Sequence, residues 1–164
     1  VEQLMVTPIR PFELLAGKIA PYVAIAFLEL GEVLLVGHFW FKVPIRGSIP
    51  LLLALSFVFL FATLGIGLFI SSVANTQREA MFLAFFIVLP SIFLSGFIFP
   101  LEAMPKALQL LSYIVPLRYY MTIVRGIIVK GVGVTALWEH IIPLALLGMA
   151  IFLGATLRIR KRLE

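Results

Sequence analysis

The sequence has no cysteine, which excludes a disulfide framework and any thiolate metal site and leaves the redox compartment open. Charge is scarce as well: 13% of the 164 residues are Asp, Glu, Lys or Arg, against about 25% in a typical soluble domain. A soluble globule of this size cannot cover its surface with so few charges. That excludes an ordinary cytosolic enzyme, a disordered tail and a nucleic-acid-binding domain. Internal repeats, low-complexity tracts and Gly/Ser linkers are missing too. So are the basic n-region and cleavage site of a signal peptide.

What is present is apolar. Hydrophobic residues make up 62% of the chain and mean hydropathy is +1.14. A membrane span needs about 20 mostly apolar residues, and four segments approach this. They are 19–41, interrupted by Glu29, Glu32 and His38; 49–73; 80–99; and 138–157. The first reaches about 34 Å as a helix, enough to cross a bilayer core with tilt. The expected fold is therefore all-α: a polytopic membrane bundle of four transmembrane helices, carrying an amphipathic helical hairpin on its outer side.

The net charge of +5 reads against a membrane rather than a nucleic acid, because the basic residues sit between apolar runs. Four spans place Arg10, Lys18, Arg78, Arg158, Arg160, Lys161 and Arg162 on one side. Lys42, Arg46, Lys106, Arg118, Arg125 and Lys130 fall on the other. The counts nearly balance, but the tail at 158–164 is the densest cluster and abuts a span end. It is expected to be cytoplasmic, with 1–18 on the same side. Phe39, Trp40, Phe41 and Trp138 then form an outer aromatic belt or simply face lipid.

The outer link 100–136 is patterned. Met104, Ala107, Leu108, Leu111, Ile114 and Val115 follow helical spacing, with Pro105 at the start and Pro116 as the stop. The pattern restarts with Leu117, Tyr120, Met121, Val124, Ile127 and Ile128, opposite Arg118, Thr122 and Arg125. Gly131 and Gly133 end it. Two helices are expected, 104–115 and 117–130, each too short to span and suited to an interfacial or re-entrant position. The alternative is one kinked span over 107–129, which would place Arg118 and Arg125 expensively at mid-depth.

No chemistry of its own is visible. The single Gly-Lys pair, Gly17-Lys18, has Phe12 where a phosphate-binding loop needs glycine and Ile19 where it needs Ser or Thr. His38 and His140 do not form a metal motif, and Ser95 in FLSGF lacks the first glycine of a nucleophile elbow. Glu29 and Glu32 stand out within a span. Spaced i, i+3 on one face, they suit either a polar patch on a translocation path, attractive to cationic amphiphiles, or a hydrogen-bonded pair joining helices. Thr63, Gly67 and Ser71 form a stripe of small residues where a helix–helix seam is expected. Pro90 beside Ser91, Ser95 and Gly96 is a candidate hinge or a tolerated bend.

Three blocks, VEQLMVTPIRPFELLAGKIAPY (1–22), LSGFIFPLEAMP (94–105) and VPLRYYMTIVRGIIVKG (115–131), resemble the permease subunits of type 2 ABC exporters of the bacterial multidrug and antibiotic type. The resemblance runs over nearly the whole chain. It implies the C-terminal half of a six-span permease in the bacterial inner membrane, so the sequence is expected to be partial. It implies ATP-driven export of a hydrophobic or amphiphilic substrate such as a drug, an antibiotic or a lipid- or glycan-like molecule. The partners implied are an ABC ATPase subunit, which holds ATP and Mg²⁺, a second permease copy or homologue, and membrane lipid. It also implies that the cytoplasmic segment before the first span couples to the ATPase, with Glu2, Gln3, Leu4, Met5, Thr7, Pro8 and Phe12 as candidates. The residues alone read equally as a membrane-surface helix. In the hairpin, Pro116, Arg118, Arg125 and Gly126 are the candidate residues. Competing readings are a stand-alone secondary transporter or channel using Glu29 and Glu32, an intramembrane enzyme, and a non-transporting membrane scaffold.

Overall fold

A computed structural model describes residues 11–163, with side chains from 16 to 158. The chain forms two units, Val1–Val43 and Pro44–Glu164.

The described residues of the first unit form one helix, α1 (Pro11–Phe39), and the turn after it. Its last carbonyls are sealed locally. Val36 O accepts from Trp40 and Phe41 N–H, and Gly37 O accepts from Val43 N–H at 2.9 Å. Lys42 supplies the left-handed residue this reversal needs, at φ 52°. The His38 ring meets Val43 O at 3.2 Å, closing the turn when Nδ1 carries the hydrogen. Glu29 and Glu32 are both exposed on α1.

The second unit holds α2 (Ile49–Val73), α3 (Gln77–Leu94), α4 (Lys106–Ser112), α5 (Pro116–Arg125) and α6 (Val134–Leu163). A 3-10 turn, Leu101–Ala103, precedes α4, and α5 widens into a π-helical turn, Gly126–Lys130. No strand occurs among the described residues. Four helices are long and apolar enough to cross a membrane, over Ala16–Phe39, Ile49–Val73, Gln77–Leu94 and Val134–Arg158. The all-α bundle with four spans and a helical hairpin is as the sequence predicts.

Local chemistry sets the helix ends. Ser48 caps α2, its Oγ accepting from Leu51 N–H, with Pro50 in the first turn where no amide partner is needed. Thr76 caps α3, accepting from Glu79 N–H at 3.2 Å, and the Glu79 carboxylate reaches back to Asn75 N–H at 2.8 Å, a reciprocal pair of the capping-box kind. Helix α3 ends at Leu94, before the expected 99. Ser95 Oγ turns back to Ile92 O, accepts from Phe97 N–H, and hands over to Gly96 at φ 80°.

The core is the α2–α6 seam. Leu52, Ala62, Leu144 and Ala155 are fully buried. A Cβ on Gly65 would lie 3.1 Å from Phe152 N, and one on Gly148 would lie 3.1 Å from Ala62 Cβ. Glycine here lets two backbones approach, which is how apolar helices gain packing energy where lipid removes the hydrophobic drive. The expected seam of Thr63, Gly67 and Ser71 is corrected: all three are exposed, and a Cβ on Gly67 would meet nothing within 4 Å. Both stripes have the right spacing, and only the position of α6 chooses between them. Helix α3 has no fully buried residue, with Phe82, Phe85 and Phe86 each at least 65% exposed.

Candidate functional site

The hairpin α4–α5 enters between the spans rather than lying flat across their ends. At its deep turn Ile114, Val115 and Pro116 share one cavity with Ile66 and Phe69 of α2 and Ala150, Ile151 and Gly154 of α6. Those residues lie about 24–30 Å along their helices from the hairpin end, so the turn reaches past mid-depth, about two-thirds of the way along α2. From there α5 climbs outward. Tyr120 meets Ser56 of α2, the Tyr119 ring faces the His140 ring of α6 at 6.4 Å, and the π turn meets the link before α2.

Of the two short helices, α4 carries its polarity inward, whereas α5 buries a mainly apolar face. In α4 the sequence predicts an apolar face of Met104, Ala107, Leu108, Leu111, Ile114 and Val115 suited to an interfacial or re-entrant position. Val115 is buried and Met104 half-buried, but Ala107, Leu108, Leu111 and Ile114 do not pack into the protein. These four are exposed, Ile114 by 67%, and Ser112 is fully buried. The physical reason is the solvent: hydrocarbon rewards an apolar exterior and penalises any unpaired polar group. In α5 the buried face is likewise shifted. Tyr119, Ile123 and Ile127 carry it, with Leu117, Met121 and Val124 flanking. Tyr119 and Ile123 were the members missed, although their i, i+4 spacing with Ile127 was available.

Arg118 organises the interior. Its Nη1 donates to Gln109 O at 3.2 Å and to Ser112 Oγ, and its guanidinium lies 3.9 Å over the Tyr113 ring. Ser112 Oγ donates to Gln109 O, Gln109 Nε2 to Met104 O, and Tyr119 OH to Tyr113 O. Thus the orphan carbonyls at the end of α4 are satisfied by side chains arriving from α5. Arg125, one turn from the end of the hairpin, donates through Nη2 to Gly96 O at 3.1 Å. The two arginines tie α5 to α4 and to the turn after α3. Their partners among the described residues are carbonyls, a hydroxyl and a ring.

Other candidates find separate roles. Pro116 occupies the first turn of α5 and is buried. Gly126 is buried, and a Cβ there would meet Leu137 Cδ2 at 2.8 Å. Gly131 ends the π turn at φ 68°, facing Arg46. Arg46 N–H donates to Ile128 O at 3.1 Å, and a Cβ on Gly47 would lie 2.3 Å from Ile127 O. The link before α2 is thereby stapled to the π turn, a contact the sequence reading did not contain.

Tyr120 stacks on Phe59 at 4.2 Å, and its hydroxyl lies 2.7 Å from Ser56 Oγ. Ser56 spends its own proton on Leu52 O, so Tyr120 donates. Glu2, Gln3, Leu4, Met5, Thr7 and Pro8 lie outside the described residues, as does the Phe12 side chain. Glu29 and Glu32 lie on α1, in the other unit from the hairpin.

The family model "ABC-2 type transporter" matches residues 1–129. The chain is 36% identical to the probable multidrug ABC transporter permease YbhS of Escherichia coli over all of its own length and 44% of that protein. It is 32% identical to the probable multidrug ABC transporter permease YbhR of Escherichia coli, covering 88% of this chain and 39% of that one. It is 35% identical to the Escherichia coli inner membrane transport permease YhhJ, covering 98% and 43%. The chain thus spans less than half the length of these relatives. No solved structure gives a significant match.

Proposed function

The chain belongs to the ABC-2 type transporter family, and from that membership we propose that it is part of a permease that exports a hydrophobic or amphiphilic substrate on ATP hydrolysed by a separate ABC ATPase subunit. The observation that carries this reading is the family match over a four-span apolar bundle. The multidrug permeases YbhR and YbhS are similar over most of this chain, which supports drug-like or lipid-like cargo. The phosphate-loop chemistry absent around Gly17-Lys18 would be supplied by the partner together with Mg²⁺. We place the protein in the bacterial inner membrane with the basic tail and residues 1–18 cytoplasmic. There Glu2, Gln3, Leu4, Met5, Thr7, Pro8 and Phe12 would meet the ATPase, and a second permease would complete the path.

The test is purification of the full-length protein from membranes. A co-purifying ATPase with Walker A and signature motifs is expected, and substrate export is expected to stop when its Walker A lysine is replaced. Export that persists without that subunit, follows an ion gradient and is lost in the Glu29→Gln, Glu32→Gln double variant would sink the proposal. It would point to an ion-coupled carrier instead.

A further inference from the structure

Two features of the second unit keep capacity beyond what the fold uses. One is the cavity under the hairpin turn, about 400 Å³ in volume and lined by Ile66, Phe69, Ser91, Ile114, Pro116 and Gly154 among others. It is almost wholly apolar. The other is the pair Arg118 and Arg125, i and i+7 on one face of α5 and so about 10 Å apart along it. Each guanidinium has five donors. Arg118 spends one nitrogen on Gln109 O and Ser112 Oγ, and Arg125 spends one on Gly96 O. Arg125 is exposed and Arg118 half-buried.

Helix α3 connects the two. Ser91 lines the cavity, and Gly96, five residues further toward the hairpin end, holds Arg125. Arg125 lies nine residues beyond Pro116, about 14 Å further along α5 than the hairpin turn that roofs the cavity. An apolar slot with a cation about one acyl-chain length above its floor has the polarity of a lipid: tail inward, head outward. A phosphate meets a guanidinium in matched fork geometry. A zwitterionic head would bring its own cation against Arg125.

We propose that this crevice between α3 and the hairpin holds one anionic phospholipid of the surrounding bilayer, its phosphodiester on Arg125 with Arg118 below and an acyl chain in the cavity. The site belongs to the membrane-embedded bundle and does not depend on ATP-driven export.

The test uses the full-length protein in vesicles of equal phosphatidylglycerol and phosphatidylcholine, followed by gentle extraction and native mass spectrometry. One retained phosphatidylglycerol is expected. Arg125→Gln is expected to lower its retention at least tenfold, and Arg125→Lys, which keeps the charge but not the fork, about threefold. Gly154→Leu should also lower it tenfold, because a Cβ at Gly154 meets nothing within 4 Å and the larger side chain fills the slot without disturbing the fold. Equal retention of the two lipids overturns the proposal. So does retention unchanged in either Arg125 variant or in Gly154→Leu, or displacement by inorganic phosphate as readily as by the lipid. Transport measured on the same samples keeps the outcomes apart: loss of the lipid with export intact leaves the exporter reading standing.

Discussion

Gly47 and Gly67 separate at the scale of single atoms. A methyl on Gly47 would enter the Ile127 carbonyl at 2.3 Å, whereas one on Gly67 meets nothing within 4 Å. Gly47→Ala must therefore push the link off the π turn and break the Arg46–Ile128 bond, costing about 2–3 kcal/mol. Gly67→Ala is expected to stay within about 0.5 kcal/mol. Thermal unfolding of the two variants of the full-length protein checks the contrast. Tyr120 offers a second residue-level test. Tyr120→Phe keeps the stack on Phe59 and loses the donor to Ser56, about 1 kcal/mol. Thermal unfolding of the full-length wild type and Tyr120→Phe checks this difference.

Helix α4 inverts the usual amphipathic pattern, and its C-terminal end is held by one guanidinium from α5. Arg118→Lys keeps the charge but cannot serve Gln109 O, Ser112 Oγ and the Tyr113 face together. We expect faster proteolysis within 104–116 in the full-length variant, with α2 and α6 still protected. The ends of these helices were legible in the sequence because they depend on intrinsic backbone chemistry. Pro116 fixes the first turn of α5, and Gly131 supplies the left-handed residue that stops it. Their facing was not legible. Periodicity identifies a stripe, but which stripe turns inward depends on whether water or hydrocarbon lies outside. That is why Leu108 and Leu111 face out and Ser112 faces in. Arg125 was found as chemistry before its partner could be known, since Gly96 lies 29 residues away along the chain.

Across the whole molecule, the spans are unequal in what holds them. Helices α2 and α6 interlock through Gly65, Ala62 and Gly148, while α3 buries no side chain fully. Gly148→Leu should force α2 and α6 apart and cost several kcal/mol, seen as loss of the monodisperse peak of the full-length protein in detergent. The same seam shows why span number and order were readable while their pairing was not: hydropathy counts helices, and only glycine-to-backbone contact selects neighbours. The Arg118 knot has a consequence for biogenesis. Every partner of that guanidinium, from Gln109 to Tyr113, precedes it by no more than nine residues. The cation's contacts can therefore be completed within the hairpin itself, without any group from α6, so a nascent chain would have every partner of Arg118 available before the last span is made.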